Sequence, residues 1–329
     1  MTRLLLARLA QGIAVVLLVA SAVFVLVRLA PGDPFATALD DATVDMAVRA
    51  QWRAAYGLDG SIGTQYVRWL GALLQGDLGW STSRQLPVTT AIADALPWTL
   101  ALAGTATVLA FAIGMATGAW QARHRDTTGD RAVTAFSVAT VALPDFWLAL
   151  VVLLAGAGWW HVFPVGGATD PLLDADASPT TRTLDLLRHL ALPLATLTLT
   201  MIGSIARLQR AAILDQASAE WARTALAKGV APGRVWRAHV WRTALVPMAT
   251  LAGLALPHLL GAGVFIEHVF AWPGFGGLAA GAIAARDYHL VTGCTLVATV
   301  LVVAGTWLAD ATSAWLDPRL RAATSESRA

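Results

Sequence analysis

Residues 220–247 read EWARTALAKGVAPGRVWRAHVWRTALVP. The stretch is basic and helix-prone, and it stands between two long apolar segments, 190–208 and 244–266. Gly229 and the pair Pro232-Gly233 divide it into two short helices, since glycine admits unusual backbone angles and proline cannot continue a hydrogen-bonded turn. Its charges, Arg223, Lys228, Arg234, Arg237 and Arg242, place it on the cytoplasmic side of a membrane, because basic loops resist translocation. A two-helix basic elbow kept at one membrane face is expected to dock something there.

The rest of the chain agrees with a membrane setting. It is 57% hydrophobic and 13% charged, with mean hydropathy +0.61, whereas soluble domains carry about 25% charged residues. A spanning helix needs about 20 mainly apolar residues. Six segments qualify: 9–29, 96–120, 132–159, 190–208, 244–266 and 290–315. Fifteen of the 23 Arg and Lys residues fall in 1–8, 121–131, 207–243 and 317–329, which makes those pieces cytoplasmic. The expected fold is therefore all-α and integral to the membrane, with six transmembrane helices and both termini cytoplasmic. Residues 1–30 read as a retained signal anchor, because the apolar run exceeds a signal-peptide core and no small-residue cleavage site follows. Residues 31–95 read as an extracytoplasmic segment with helices near 43–56 and 66–74, and Trp52, Tyr56, Tyr66, Trp69 and Trp80 suit the bilayer interface. Residues 96–316 form a five-helix core containing the loop 211–243, and 317–329 a polar cytoplasmic tail. The outer loop 160–189, rich in Gly, Pro and Asp, is expected to be irregular. Small residues at Ala103, Gly104, Thr107, Gly114 and Gly118 suit close helix contact.

The elbow has a mechanical reading. A helix from Pro232 to about Val240 starts with proline where its missing N–H costs nothing. Val235, Trp236, His239 and Val240 lie at helical spacing and make one apolar, aromatic face flanked by Arg234 and Arg237. Such a face seats in a groove on a partner or lies on anionic lipid; composition leaves both open. On the outer side, EHVFAWPGFG (267–276) forms a stiff turn around Trp272, Pro273 and Gly274. With Glu267 and Phe270 it either borders an outer mouth or gate, or anchors aromatics at the interface with Glu267 in solvent. Pro144 and Asp145 mark a helix break, where Asp145 is either a cap or a functional group; Asp310 lies near a span end. The seven histidines make no H-x-x-x-H or H-E-x-x-H pattern, and the single Cys294 excludes an internal disulfide and a cysteine metal site. No G-x-S-x-G elbow and no G-x-x-x-x-G-K-[ST] string occurs, so energy has to come from another chain. A pI near 9.1 is not a nucleic-acid signal here, since the charges sort by membrane side.

Several strings, taken together, resemble one family. Arg28-Leu29-Ala30-Pro31-Gly32-Asp33-Pro34 is followed in order by Tyr56-Gly57-Leu58-Asp59, Gly76-Asp77-Leu78-Gly79, Leu96-Pro97-Trp98-Thr99-Leu100, Pro144-Asp145-Phe146-Trp147, Arg223-Thr224-Ala225-Leu226-Ala227-Lys228-Gly229, the 267–276 turn, Asp287-Tyr288 and Asp317-Pro318-Arg319. The chain resembles the ABC-importer permeases of the dipeptide/oligopeptide/nickel branch across nearly its whole length. The resemblance implies a permease subunit of the bacterial inner membrane that is not itself an enzyme and binds no cofactor or metal. Its implied partners are a second homologous permease, two subunits that carry ATP and Mg, an extracytoplasmic substrate-binding protein and membrane lipid, with no nucleic acid. It implies coupling to the ATPases through Arg223, Gly229 as hinge, Arg234, Val235, Trp236, Arg237, His239 and Arg242. One departure stands out. The Glu-Ala-Ala of other importer loops is Arg223-Thr224-Ala225 here, with Glu220 one turn earlier. A peptide cargo is favoured, with nickel or its chelates as the alternative. An intramembrane enzyme using Asp145, Asp310 and a histidine, or a passive channel, are the readings from other classes.

Overall fold

The computed structural model describes residues 2–29, 61–174 and 176–316. The strings at 30–34 and 56–59, the helix expected near 43–56, Asp317-Pro318-Arg319, the tail, and the side chains of Arg28, His258 and Asp310 lie outside what is described. The elements, in order, are α1 (Thr2–Leu29), α2 (Ile62–Leu74), β1 (Trp80–Ser81), β2 (Leu86–Pro87), α3 (Val88–Arg123), α4 (Thr128–Ala142) and α5 (Asp145–Leu153), which continues as a π-helical turn, Leu154–Trp159. Then come α6 (Pro179–Ser218), α7 (Glu220–Ala227), α8 (Pro232–Arg234), a second π-helical turn (Val235–Val240), α9 (Trp241–Ala244), α10 (Val246–Val269), α11 (Phe275–Ala284) and α12 (Tyr288–Leu316).

Each expected span falls on a helix or a bent helix pair. Among the described residues, α1, α3, α6 and α12 are long and apolar enough to cross a membrane, and α4 with α5 adds a fifth if that pair, bent by 107°, is one span. The expected span 244–266 falls, from residue 246 on, in α10, a helix of 24 residues. Large apolar side chains such as Leu18, Leu26, Val108 and Phe136 stay exposed. That suits helices solvated by lipid, where apolar exposure carries no penalty and the backbone is satisfied within each helix. One boundary differs from expectation. The irregular outer loop ends at Ser178, whose hydroxyl accepts from the Thr181 N–H and caps α6, with Pro179 in its first turn.

The chain divides into two compact units, Met1–Leu96 with Leu278–Val300, and Pro97–Gly277 with Leu301–Ala329. In the first, Phe24 of α1 meets Tyr66 edge-on at 5.3 Å and Trp69 at 5.2 Å, and Tyr66 bonds Ser21 at 2.7 Å. The expected helix at 66–74 is thus the second half of α2, and two of its aromatics pack on α1. Asp287 gathers the β-hairpin to the start of α12. Its Oδ2 accepts from Ser81 Oγ (2.6 Å), Ser83 N–H (2.9 Å) and Ser83 Oγ (2.8 Å), and its Oδ1 from the Leu290 N–H (3.1 Å). Burial pushes this carboxyl up, but those donors outweigh it and hold the group below the usual carboxylate range.

The second unit is built on the approach of α3 to α6. A Cβ on Gly114 would strike Ile205, and one on Gly118 would strike the Ala206 carbonyl, so both glycines let the backbones close. Gly104, grouped with them from sequence, meets nothing within 4 Å. The apolar core joins Leu102 and Ala106 to Leu192, Leu197, Ile266, Phe270 and Trp272.

Candidate functional site

The elbow begins where α6 ends. Gly229 turns the chain at φ +82°, a conformation glycine adopts without steric cost. Pro232 then opens α8. The single helix expected from Pro232 to Val240 is interrupted, because residues 235–240 adopt the wider π form, with the Trp241 N–H bonded to the Trp236 carbonyl. An i→i+5 turn aligns residues five apart. It turns Val235 and Val240 inward together and stacks Trp236 on Trp241, with centroids 6.0 Å apart.

This register corrects the face drawn from α-helical spacing. Val235 and Val240 are 4% and 2% exposed, and they pack with Ala222, Ile213 and Ala244 against Ala119 and Ala122 of α3. Val235 anchors the elbow to its own bundle and is not offered to a neighbour. Trp236 is half-buried. The surface that stays open carries Arg223, Arg234, Arg237, His239 and Arg242. It also holds two apolar residues that the α-helical reading passed over, Trp221 (38% exposed) and Leu226 (45%). Trp221 meets the His239 ring edge-on at 6.2 Å. Local periodicity does not single them out, since Leu226 follows the buried Ala222 by four residues and so lies on nearly the same side of α7.

Two further contacts fix the elbow's surroundings. Arg123, the last residue of α3, lays its guanidinium over Trp236, 3.8 Å from the ring centroid. Asp130, capped into the first turn of α4, takes a two-point pair from Arg210 of α6 at 3.0 and 2.7 Å, plus Gln121 Nε2 at 3.1 Å and the Asp126 N–H at 3.0 Å. The Arg210 guanidinium holds the Asp130 carboxyl below the usual range, and the guanidinium's own pKa rises in return. Arg210 lies 80 residues from Asp130 in sequence.

The outer turn departs from the rim expectation. Glu267, Phe270 and Trp272 are 1%, 2% and 3% exposed, so they hold the turn together here, and only Ala271 and Pro273 within 270–274 are exposed. Glu267 Oε1 accepts from Thr99 Oγ1 at 2.5 Å, and Oε2 from the Gly277 N–H at 3.0 Å. Thr99 also accepts from the Phe275 N–H at 2.7 Å, and Trp272 Nε1 donates to the Trp98 carbonyl at 3.2 Å. The Glu267 carboxylate fills the space a Cβ on Gly274 would need. The strings 96–100 and 267–276 are therefore two halves of one hydrogen-bonded clasp. Pro144 caps α5 without a side-chain bond, and Asp145 lies in its first turn at the 107° bend. Among the described residues no three His, Cys, Asp or Glu side chains gather as a metal site would require.

Residues 110–322 match the family described as binding-protein-dependent transport system inner membrane component, and residues 1–103 match its N-terminal companion. The oligopeptide transport system permease protein AppB of Bacillus subtilis (strain 168) is 36% identical over 301 residues, 90% of this chain and 92% of that protein. The di/tripeptide transport system permease protein DppB of Pseudomonas aeruginosa (strain UCBPP-PA14) is 33% identical over 313 residues, 91% and 92% of the two chains.

Proposed function

The chain belongs to the family of binding-protein-dependent transport system inner membrane components, and on that premise we propose that its elbow takes up the stroke of an ATPase and that its cargo is a peptide. It is the permease subunit of an ABC importer, a multi-pass protein of the bacterial inner membrane. Importers of this family work with a partner permease, ATPases and a binding protein. In this reading the assembly holds a second related permease, two subunits that carry ATP and Mg, and an extracytoplasmic binding protein that delivers the peptide.

The observation that carries the mechanical part is the division of the elbow into two faces. Val235, Val240 and Ala222 grip α3 and α6, while Trp221 and Leu226 stand exposed among Arg223, Arg237, His239 and Arg242. Apolar anchors on a surface that also exposes arginines suit a groove with acidic walls on another subunit. A push on that face passes to α3 through the Arg123–Trp236 contact and onward through Asp130–Arg210 to α4 and α6. Alternating access then needs only that the ATP-bound motor bind the elbow more tightly in one state of the bundle than in the other.

The peptide cargo rests on the relatives, two of which are named for oligopeptides and di/tripeptides; nickel is not favoured. Trp221→Asp in the tagged chain is expected to abolish co-purification of the ATPase subunits while leaving the permease in the membrane. Uptake of labelled di- and oligopeptides, but not of labelled nickel, is expected from the complete transporter in liposomes. Undiminished ATPase recovery with Trp221→Asp overturns the docking face, and nickel uptake alone overturns the cargo.

A further inference from the structure

An open cavity of about 400 Å³ lies between the last turns of α3 and the elbow. Trp120 and Arg123 line it from the last turn of α3, and His124 from the residue that follows, three and four positions along from Trp120. Trp236, Arg237 and Trp241 line it from the π-helical turn and α9. The walls are pre-set. Trp120 and His124 stack with centroids 4.9 Å apart, and His124 Nδ1 engages the Trp120 carbonyl at 2.9 Å, which leaves Nε2 as the ring's other polar atom. A Cβ on Gly129 would strike the Trp120 ring, so the first turn of α4 backs it closely.

The charge is one-sided. No carboxylate lines the cavity, and among the described residues neither Arg123 nor Arg237 has a carboxylate partner. Arg123 rests on the Trp236 ring, and Arg237 Nε makes only a long bond to the Gly233 carbonyl at 3.4 Å. Two guanidinium groups without counter-ions, set among three tryptophan rings, select a compact anion with apolar groups attached. The level of the cavity narrows the choice further. Trp120 is the last residue of the span 96–120, so the cavity opens where that helix leaves the bilayer on its basic side. Interfacial tryptophans and the anionic lipid of the cytoplasmic leaflet meet at that depth. The volume lies in the range of small-ligand sites.

We propose that this cavity binds the phosphodiester headgroup of an anionic phospholipid of the inner leaflet. Arg123 and Arg237 hold the phosphate, and Trp120, Trp236 and Trp241 border the glycerol and upper acyl chains. The bound lipid would brace α3 against the elbow at the joint through which the ATPase stroke passes. The site does not depend on the cargo.

The test uses the complete transporter in detergent, with phosphatidylglycerol or phosphatidylcholine added and the lipid retained on the permease counted by native mass spectrometry. Phosphatidylglycerol should be retained preferentially. A basic residue at an anionic lipid surface accounts for about fivefold in affinity, so Arg123→Gln with Arg237→Gln should lose about twenty-five-fold, and the Arg→Lys pair should keep most of the binding. Arg207→Gln, an exposed arginine of α6 outside both the cavity and the docking face, should leave lipid retention unchanged. If the double variant failed to assemble, Arg237→Gln alone should show a loss of about fivefold. Equal retention of phosphatidylcholine, an equal loss with Arg207→Gln, competition by inorganic phosphate at matched concentration, or no lipid on the wild-type complex would each overturn the assignment.

Discussion

The guanidinium of Arg123 lies 3.8 Å from the centroid of the Trp236 ring, and Trp236 is itself stacked on Trp241. The last residue of α3 is thereby clamped to the middle of the elbow. An exposed contact of this type contributes about 0.5–1 kcal/mol, so Arg123→Ala should barely change the unfolding temperature. It should uncouple the joint, however: ATP hydrolysis by the assembled transporter should persist while peptide uptake per ATP falls severalfold. Parallel hydrolysis and uptake assays check this, and an equal fall in both would remove Arg123 from the transmission path.

The clasp around Glu267 predicts an asymmetry between two glycines. Gly274→Ala drives a methyl into the Glu267 carboxylate, whereas at Gly281 a Cβ meets nothing within 4 Å. The first should destabilise by about 1–3 kcal/mol, the usual cost of overpacking. The second should be neutral or slightly stabilising, since it lies within α11. Thermal unfolding of the two variants in one detergent compares them directly.

Asp130 and Arg210 give a prediction in pH. The folded pKa of Asp130 is depressed, chiefly by the Arg210 hydrogen bond. The pair's contribution is therefore complete above the unfolded value of about 3.9 and is lost as pH falls through the lower folded value. The stability gap between wild type and Asp130→Asn should be flat above about pH 4 and narrow only below it. Arg210→Gln strands a buried carboxylate and should cost about 1–3 kcal/mol at neutral pH. Unfolding curves across pH read both effects.

Gly229 stands at φ +82° in open space, so a substitution there is resisted by backbone strain alone. Gly229→Val should cost more than 1 kcal/mol, on the order of the left-handed penalty, and Gly229→Asn distinctly less. If the residue serves as the elbow's hinge, Gly229→Val should also lower uptake more than its loss of stability explains. Transport at matched amounts of folded protein separates the two effects.

The turn at 267–276 illustrates how a string can be legible while its role is not. Its composition announced a rigid turn, and its resemblance to importer permeases placed it in the family. Nothing local said that the Glu267 carboxylate would be drawn inside by Thr99, 168 residues away. A solvated rim and a buried clasp have the same sequence. The pairing of Asp130 with Arg210, 80 residues apart, is not legible in the sequence, because a lone carboxylate in a basic loop reads as surface charge.

The sequence by itself determined the membrane setting, the helical class, the places of the long apolar helices, the basic elbow and the family. These follow from sums over short windows (hydropathy, charge, chain-breaking residues) that need no knowledge of distant neighbours. Only the tertiary structure decided which face of the elbow turns inward. That choice hangs on the π-helical register at 235–240, which pairs Val235 with Val240 against α3 and α6 and hands the outer surface to Trp221 and Leu226. A shift from four residues per contact to five rotates every following side chain, and the residues that then receive Val235 and Val240, among them Ala119, Ala122 and Ile213, come from helices remote in sequence.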